Sequence, residues 1–250
     1  MLKYFYAMLV SSNLNREMPF KIYGHAGKPV LVFPSSGGSF HEYEDFGMID
    51  AIWPYLENGE LTVYTVSSVD NESWLNYEMH PHDKAVIHNS YDNYIIDEML
   101  PFIKYHSNWQ GGMISSGCSM GAYHAANFYF RHPDAFDTAI ALSGIYDARF
   151  FTGGYIDQEV YLNSPVDYLK ELEDDWYLNH YRENDLVICA GQGRWEEDTL
   201  RDTRLLDTIL AEKNIPAWFD YWGYDADHDW PWWRKQMPYF LELLKEKNIL

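Results

Sequence analysis

Residues 113–121 read MISSGCSMG, and this stretch decides the fold. Its first half, Met-Ile-Ser-Ser, belongs to a strand predicted at residues 112–117, and residues 122–130 favour a helix. The pattern G-x-S-x-G, formed by Gly117, Ser119 and Gly121, lies at the junction. A turn this sharp holds its serine at strained backbone angles, and glycine on either side avoids clashes with the neighbouring strand and helix. The stretch therefore predicts a strand–turn–helix unit that lifts the Ser119 hydroxyl above a sheet.

Short β-branched runs alternate with longer helical patterns along the rest of the chain. We predict strands at residues 29–33, 61–67, 112–117, 138–142, 185–190 and 218–222. We predict helices at residues 46–56, 91–105, 120–130, 199–213 and 231–247. The aromatic-rich run 1–10 favours a further strand over a signal peptide, because it has no small-x-small cleavage pattern. Such alternation indicates an α/β fold, in which helices flank both faces of a mostly parallel central sheet.

Two stretches interrupt this alternation. Residues 70–90 are rich in His, Asn and Pro, and residues 147–180 mix a Gly-Gly pair with acidic segments. Loops of this length are usually functional or disordered. Both stretches follow strands, on the side where an open α/β sheet binds ligands, so we predict that they form pocket rims or a small lid. Because the sequence contains no internal repeat and no linker, residues 1–250 are predicted to form a single domain.

The charge balance argues against several classes of partner. Lys plus Arg number 18 against 38 Asp plus Glu, and a formal net charge of -20 repels nucleic-acid phosphates and anionic lipid surfaces. No apolar run approaches the ~18 residues of a membrane-spanning helix. Cys118 and Cys189 lie in or beside apolar runs and are predicted to be reduced, buried thiols. We therefore expect a cytoplasmic protein with no nucleic-acid or membrane partner, while homo-oligomerisation stays open.

A serine hydroxyl becomes a useful nucleophile only when a base takes its proton. The strand–turn–helix unit around Ser119 resembles that of the α/β-hydrolases. This resemblance implies that the carboxylate and then the histidine follow the serine along the chain, with the histidine after the last strand. His228 follows the strand predicted at residues 218–222 and precedes the final helix. No other histidine after Ser119 has such a position, so His228 is the predicted general base.

The carboxylate that orients this histidine is expected after the strand at residues 185–190. Three candidates follow a glycine-rich turn there, namely Glu196, Glu197 and Asp198. Glu196 is the first choice because it comes soonest after the turn, and Glu197 is the alternative. Glu197 and Asp198 directly precede a helical pattern, where acidic residues also stabilise the helix N-terminus.

Two backbone N–H groups are predicted to form an oxyanion hole. The Met120 N–H opens the helix after Ser119, where unpaired N–H groups and the helix dipole favour developing negative charge. The second donor is expected in residues 34–40, which read PSSGGSF, because small residues let the backbone approach a substrate oxygen closely. The Ser36 N–H is the first choice, and that of Gly37 is the alternative.

Aromatic residues make up 18% of the chain, enough to supply both core and pocket walls. Trp74, Tyr77 and Trp230 are the predicted substrate-pocket residues, because their rings offer apolar area with a polar handle. No nucleotide cofactor is expected, since the glycine-rich residues 34–40 match neither G-x-G-x-x-G nor a phosphate loop ending in Gly-Lys. Residues 80–83 contain three potential metal ligands, His80, His82 and Asp83, but a solvated loop explains them better, so no metal is predicted.

These residues resemble the "putative esterase" group of α/β-hydrolases, which includes S-formylglutathione hydrolase (esterase D), tributyrin esterases, feruloyl and acetyl-xylan esterases and mycolyltransferases. The segments that carry the resemblance are residues 32–38, 117–122, 136–144 and 228–233. The resemblance implies an α/β-hydrolase fold and carboxylic-ester hydrolysis by Ser119 and His228. It also implies a carboxylate near Glu196 and oxyanion N–H groups at Met120 and near Ser36.

The chain departs from its relatives at two places. Residues 34–36 read Pro-Ser-Ser where many relatives have His-Gly or Asp-Gly, and residues 196–197 are two glutamates where many have a single aspartate. The hypothesis is a serine esterase that acts through an acyl-enzyme on small or carbohydrate-linked esters. Two alternatives stay open: a catalytically idle scaffold that binds carbohydrate or protein, and an acyltransferase that uses the same three residues.

Overall fold

The computed structural model describes residues 4–250, whose strands form one eight-stranded sheet. The strands are β1 (Tyr4–Ser11), β2 (Arg16–Tyr23), β3 (Lys28–Phe33), β4 (Leu61–Val66), β5 (Met113–Cys118), β6 (Phe136–Leu142), β7 (Asp185–Ala190) and β8 (Trp218–Tyr221). Their order across the sheet is β1-β2-β4-β3-β5-β6-β7-β8. β3 to β8 pair in parallel, whereas β1 pairs with β2, and β2 with β4, antiparallel. The N-terminal strand is thus present as β1, and the part of that prediction at residues 1–3 lies outside the described residues.

The helices lie between and after these strands. They are α1 (Glu42–Asp45), α2 (Met48–Ala51), α3 (Trp53–Glu57), α4 (Pro81–Tyr94), a π-helical turn (Ile95–Met99), α5 (Leu100–Ser107), α6 (Met120–Arg131), α7 (Arg149–Thr152), α8 (Gln158–Tyr161), α9 (Pro165–Glu171), α10 (Asp175–Glu183), α11 (Glu197–Glu212) and α12 (Trp230–Glu246). None of them is long and apolar enough to cross a membrane.

Side chains alternate between the two faces of the sheet, as the period of two in a strand requires. In β3, Leu31 and Phe33 pack into the apolar cluster beneath α4, α5, α6 and α11. Val30 and Val32 point the other way, into the cluster beneath α1, α2, α3 and α12. Both faces of the parallel strands are therefore covered, and the predicted α/β class is confirmed.

Two helix predictions are wrong in extent, and one stretch predicted as a loop contains helices. The single helix predicted at residues 46–56 is two short helices, α2 and α3. Gly47, with a φ of 72°, precedes α2, and Pro54 lies in the first turn of α3. The helix predicted to begin at residue 91 begins at Pro81, which suits a first helical position because it has no N–H to leave unpaired. The predicted loop at residues 147–180 instead contains α7, α8, α9 and the start of α10.

Candidate active site

Ser119 lies on the turn between β5 and α6 with a φ of 58° and a ψ of -119°, a strained conformation for a residue with a side chain. The two predicted glycines make this turn sterically possible. A Cβ atom on Gly117 would overlap the backbone of Gly121, and one on Gly121 would overlap the carbonyl oxygen of Phe33 in β3. The Ser119 N–H donates to the Leu142 carbonyl at 2.8 Å, which fixes the turn to β6.

His228 lies on the loop between β8 and α12, and its ring faces the serine. The distance between His228 Nε2 and Ser119 Oγ is 2.8 Å, a hydrogen bond across 109 residues of sequence. The other ring nitrogen, Nδ1, lies 3.4 Å from Glu196 Oε2, a long hydrogen bond. Ser119, His228 and Glu196 therefore form a continuous chain of polar contacts, with each residue contributed by the end of a different strand.

Of the three candidate carboxylates, Glu196 is the one that contacts His228. Its side chain is 1% exposed. Glu197 is exposed and begins α11, and Asp198 pairs with Arg201 at 2.6 Å on the surface of that helix. Both side chains therefore lie in the first turn of α11, where acidic residues stabilise the helix N-terminus. The sequence analysis gives this as their other role.

Two further side chains that the sequence analysis missed hold the Glu196 carboxylate. The Ser143 hydroxyl donates to Glu196 Oε1 at 2.6 Å and accepts from Trp233 Nε1 at 3.1 Å, and the Thr199 hydroxyl donates to Oε2. Burial raises the pKa of the Glu196 carboxyl, but the hydrogen bonds from His228, Ser143 and Thr199 outweigh it. The net effect holds the pKa below its usual value, so Glu196 is an anion at neutral pH. The position of Ser143 directly after β6 is the signal that could have identified it.

The loops that carry Glu196 and His228 are bound to each other. Arg194 donates from its backbone N–H and its guanidinium to the Asp227 carboxylate, at 2.8–3.0 Å. The His228 N–H returns a bond to the Arg194 carbonyl at 3.0 Å. Because these contacts join neighbours of both residues, the spacing between the imidazole and the carboxylate is fixed from the backbone as well as from the side chains.

Residues 34–41 form the loop between β3 and α1, called the β3–α1 loop. It lies on the side of the site opposite the Ser119 turn. The Ser35 N–H donates to the Glu42 carboxylate at 2.7 Å and the Ser35 hydroxyl does so at 2.5 Å. The Gly38 N–H closes a turn onto the Ser35 carbonyl at 2.9 Å. Glu42 is buried, and burial raises the pKa of its carboxyl despite the hydrogen bonds from Ser35. Sequence reasoning missed Glu42.

A cleft of about 370 Å³ opens above Ser119 and His228. Of the two predicted oxyanion residues, both Met120 and Ser36 line it, whereas the alternative Gly37 does not. Several aromatic side chains complete the walls: Trp74, Tyr77, Phe150, Phe151 and Trp195. A larger cleft of about 550 Å³ opens at the end of α6 beside α9 and α10, but it contains none of the three polar residues described above.

The structure corrects one predicted pocket residue. Trp230 does not line the cleft but is buried, stacked on Phe46 with ring centroids 4.8 Å apart and packed edge-on against Trp233 at 5.2 Å. It opens α12, and the apolar face of that helix packs against the sheet. Trp195, which the sequence analysis passed over, is 67% exposed at the rim of the cleft, with a φ of 66° that is unusual for an aromatic residue.

The region with three potential metal ligands forms no metal site. His82 Nδ1 lies 2.7 Å from Asp157 Oδ2, and His80 caps α4 by accepting from the His82 N–H at 3.2 Å. Within residues 4–250, no group of three or more His, Cys, Asp or Glu side chains is arranged to hold a metal ion. Cys118 and Cys189 are buried and not joined to each other.

The sheet order, the two helical layers and the serine on the β5–α6 turn define an α/β-hydrolase. The chain belongs to the family described as "Putative esterase", whose model matches residues 11–243, so the predicted resemblance is confirmed. Membership of an esterase family supports a hydrolase that acts on esters in general. No curated protein sequence matches the chain.

Three solved structures illustrate the fold. A ferulic acid esterase is 18% identical over 97% of both chains, with a TM-score of 0.76. An S-formylglutathione hydrolase from Agrobacterium tumefaciens is 16% identical over 97% of this chain and 94% of its own, with a TM-score of 0.77. The fluorophosphonate-binding serine hydrolase F from Staphylococcus aureus is 16% identical over 97% of this chain and 98% of its own, with a TM-score of 0.69. At these identities the likeness establishes the fold.

Proposed function

We propose that the protein is a serine carboxylic-ester hydrolase that acts through an acyl-enzyme. The observation that carries the proposal is the 2.8 Å contact between Ser119 Oγ and His228 Nε2, on a turn that holds the serine at a strained φ. Strain of this kind persists where the surrounding structure over-determines it, and such positions cluster at active sites. The buried, ionised Glu196 behind His228 completes the arrangement needed for nucleophilic catalysis.

Each residue has a distinct role in the proposed reaction. Ser119 Oγ attacks the ester carbonyl carbon while His228 Nε2 takes the hydroxyl proton, and Glu196 stabilises the resulting imidazolium and keeps its ring oriented. The tetrahedral intermediate collapses to an acyl-serine as His228 gives the proton to the leaving alcohol. A water molecule, deprotonated by His228, then attacks the acyl-serine. The second tetrahedral intermediate collapses as His228 returns that proton to Ser119 Oγ, which releases the acid and restores the free serine.

The N–H groups of Met120 and Ser36 are proposed to bind the oxyanion. Met120 opens the twelve-residue helix α6, whose first N–H groups have no intrahelical partner. Ser36 lines the same cleft from the opposite wall, in the turn that Ser35 and Gly38 close. Two donors that approach from opposite sides suit an oxygen that gains charge as the intermediate forms.

The substrates are proposed to be small or carbohydrate-linked esters. The cleft volume of about 370 Å³ lies near the lower end of ligand pockets, so it suits a short acyl group better than a long chain. Exposed aromatic rings at the rim, Tyr77 and Trp195, offer flat apolar surface on which a sugar or an aromatic group can stack.

The test is hydrolysis of p-nitrophenyl acetate, butyrate and octanoate by the wild type and by Ser119→Ala, with fluorophosphonate labelling of both. We expect the wild type to hydrolyse the acetate and butyrate esters faster than the octanoate ester. Ser119→Ala should not be labelled, and its kcat should be at least about a thousandfold lower than that of the wild type, because residual catalysis without a nucleophile is small. Ser90→Ala is the matched control, since Ser90 lies on α4 and bonds only to the Val86 carbonyl.

Each contrary result supports a different alternative. A wild type that neither hydrolyses any ester nor labels with fluorophosphonate contradicts the proposal and favours the idle scaffold. Labelling together with ester products that form only when an alcohol is supplied favours an acyltransferase. Activity in Ser119→Ala above about a hundredth of that of the wild type contradicts the assignment of Ser119.

A further inference from the structure

The two edge strands of the sheet differ in how they are protected. β8 has only four residues, and one of them, Asp220, is charged. Its Trp218 ring is covered by Phe240 of α12, with ring centroids 5.1 Å apart, and by Lys247, whose Nζ lies 5.8 Å from the centroid of the Trp218 ring. β1 has eight residues, YFYAMLVS, with no charge and no proline. Natural proteins usually shield sheet edges with short strands, charges, proline or a covering element. β1 has none of the first three.

β1 also exposes large apolar side chains. Five of them are exposed by about half or more: Tyr4, Phe5, Tyr6, Met8 and Val10. Phe5 lies on one face of the sheet and the other four on the opposite face. Val10, for example, is 80% exposed and Phe5 is 60% exposed. An edge strand presents unpaired backbone N–H and C=O groups beside these side chains, so it is a template for one more strand.

We propose that a second copy of this chain pairs with β1, antiparallel and across a two-fold axis at Ala7, to form a homodimer with a continuous sheet. In this register Tyr6 lies opposite Met8 of the second copy, and Phe5 lies opposite Leu9. Aromatic and aliphatic cross-strand pairs of this kind stabilise antiparallel strands. The strand is complementary to itself along its whole apolar length, as an isologous interface requires.

The exposed area of β1 is enough for a weak dimer. A buried aromatic or large aliphatic side chain covers roughly 150–250 Å², so five side chains about half exposed offer about 500 Å² on each copy. Both copies together then bury about 1,000 Å², the lower limit for a specific interface, before backbone pairing is counted. β1 itself carries no charge, and the nearest charges are on β2, where Glu17 pairs with Val10 and Lys21 lies over the Tyr4 ring. The net charge of -20 opposes association, and salt screens this repulsion.

Sedimentation velocity over a concentration series tests the proposal with Met8→Lys. We expect the wild type to dimerise and the variant to be at least about tenfold weaker, because it introduces two lysines close together at the interface. Leu205→Lys is the matched control, since it makes the same change at a half-exposed position on α11. The wild-type dimer should strengthen when NaCl is raised from about 0.05 M to about 0.5 M. A monomeric wild type, or equal weakening by both variants, contradicts the proposal.

Cysteine cross-linking tests the register. Ala7→Cys places one thiol opposite its copy at about 4.5–5.5 Å between Cα atoms, within the range of a disulfide, so oxidation should give a covalent dimer. Val10→Cys is the control, because six residues of offset separate the two thiols by about 20 Å. Cys118 and Cys189 are buried and should give no background. A dimer that cross-links through Val10→Cys and not through Ala7→Cys overturns the register. Circular dichroism checks that each variant folds.

Discussion

The Ser119 turn and the β3–α1 loop border the same cleft but are held by different means. The turn is fixed by backbone packing, because Gly121 lies against Phe33 too closely for any Cβ atom. The loop is fixed by a side chain, since the Glu42 carboxylate accepts both the N–H and the hydroxyl of Ser35. One side of the proposed site therefore tolerates almost no change, whereas the other depends on a single buried acid.

The difference matters for catalysis. A nucleophile held by the backbone keeps its position whatever the neighbouring side chains do, because moving it requires displacing β3 or α6. An oxyanion donor held through a carboxylate keeps its position only while that carboxylate accepts its hydrogen bonds. The two sides should therefore respond differently to the same kind of substitution.

The largest effect is expected from Gly121→Ala. The new methyl group overlaps the Phe33 carbonyl oxygen, a backbone atom that moves only if β3 or α6 shifts. We expect loss of detectable ester hydrolysis and a fall of more than about 3 kcal/mol in the free energy of unfolding, measured in urea.

Gly37→Ala in the β3–α1 loop is the matched control. Gly37 has a φ of 73°, but a Cβ atom there meets nothing within 4 Å. Gly37→Ala should therefore lower the free energy of unfolding by only about 1–2 kcal/mol, the cost of backbone strain, and should keep most of the ester-hydrolysing activity. If Gly121→Ala resembles this control in stability and in activity, backbone packing does not fix the Ser119 turn.

The next effect is expected from Glu42→Ala. The Ser35 N–H and hydroxyl lose their acceptor, so the turn that carries Ser36 loosens. We expect kcat for p-nitrophenyl acetate to fall by about 10- to 100-fold with little change in KM, somewhat less than the loss of an oxyanion donor outright. Glu44→Ala is the control, because it removes a carboxylate from the same short helix that pairs instead with Lys21. An equal loss of kcat in both variants would show that charge, and not the bond to Ser35, is responsible.

A smaller effect is expected from Gly38→Ala. Here the new methyl group meets the Glu42 carboxylate and not a backbone atom, so the carboxylate must shift and its hydrogen bonds from Ser35 weaken without being removed. We expect kcat to fall by about tenfold or less, with the free energy of unfolding reduced by about 1 kcal/mol. Steady-state kinetics and urea unfolding, run beside Gly121→Ala, measure the contrast directly. A loss as large as that of Gly121→Ala would mean that the loop is as rigid as the turn.

The smallest effect concerns the pH dependence of stability, where the two buried glutamates should differ. Glu42 has a raised pKa in the folded state, so its contribution is fully present below the unfolded value and is lost as pH rises through the folded-state pKa. Glu196 has a lowered pKa, so its contribution is present above the unfolded value and is lost as pH falls through the folded-state pKa.

Urea unfolding of the wild type, Glu42→Gln and Glu196→Gln therefore separates the two. From about pH 7 to about pH 5, above the usual glutamate pKa of about 4.3, the wild type should gain stability relative to Glu42→Gln. Over the same pH range, the difference in the free energy of unfolding between the wild type and Glu196→Gln should stay constant. Identical trends for both pairs would mean that the two carboxyls lie in similar environments.

The parts of the site that are encoded locally could be predicted from the sequence. The G-x-S-x-G pattern specifies its own turn, because the glycines are needed wherever a helix leaves a strand so sharply. His228 and Glu196 follow from chain order and from the end of the strand before each of them. The structure brings these two residues and Ser119 into contact, and it does so through side chains that the sequence had already singled out.

The parts that depend on tertiary packing could not be predicted. Glu42 lies seven residues from Ser35 on a four-residue helix that has no recognisable periodicity. Ser143 reaches Glu196 across 53 residues of sequence, and its position after β6 indicates the correct edge of the sheet but not the side chain that it contacts. The contact of Thr199 is local, because it lies three residues after Glu196 in the first turn of α11. Residue type alone predicts that Trp230 lines the pocket, whereas its position on the apolar face of α12 places it in the core.

The hydrogen bond from Ser119 to His228 spans 109 residues, and it has a consequence for folding time. Contacts this distant in sequence form slowly, because the entropy of closing the chain must be lost before the contact stabilises anything. Helices such as α6 and α12 can form from local contacts within microseconds. During refolding, the helical circular dichroism signal should therefore recover before ester hydrolysis does. The interval between the two measures how long the strands of the parallel sheet take to assemble.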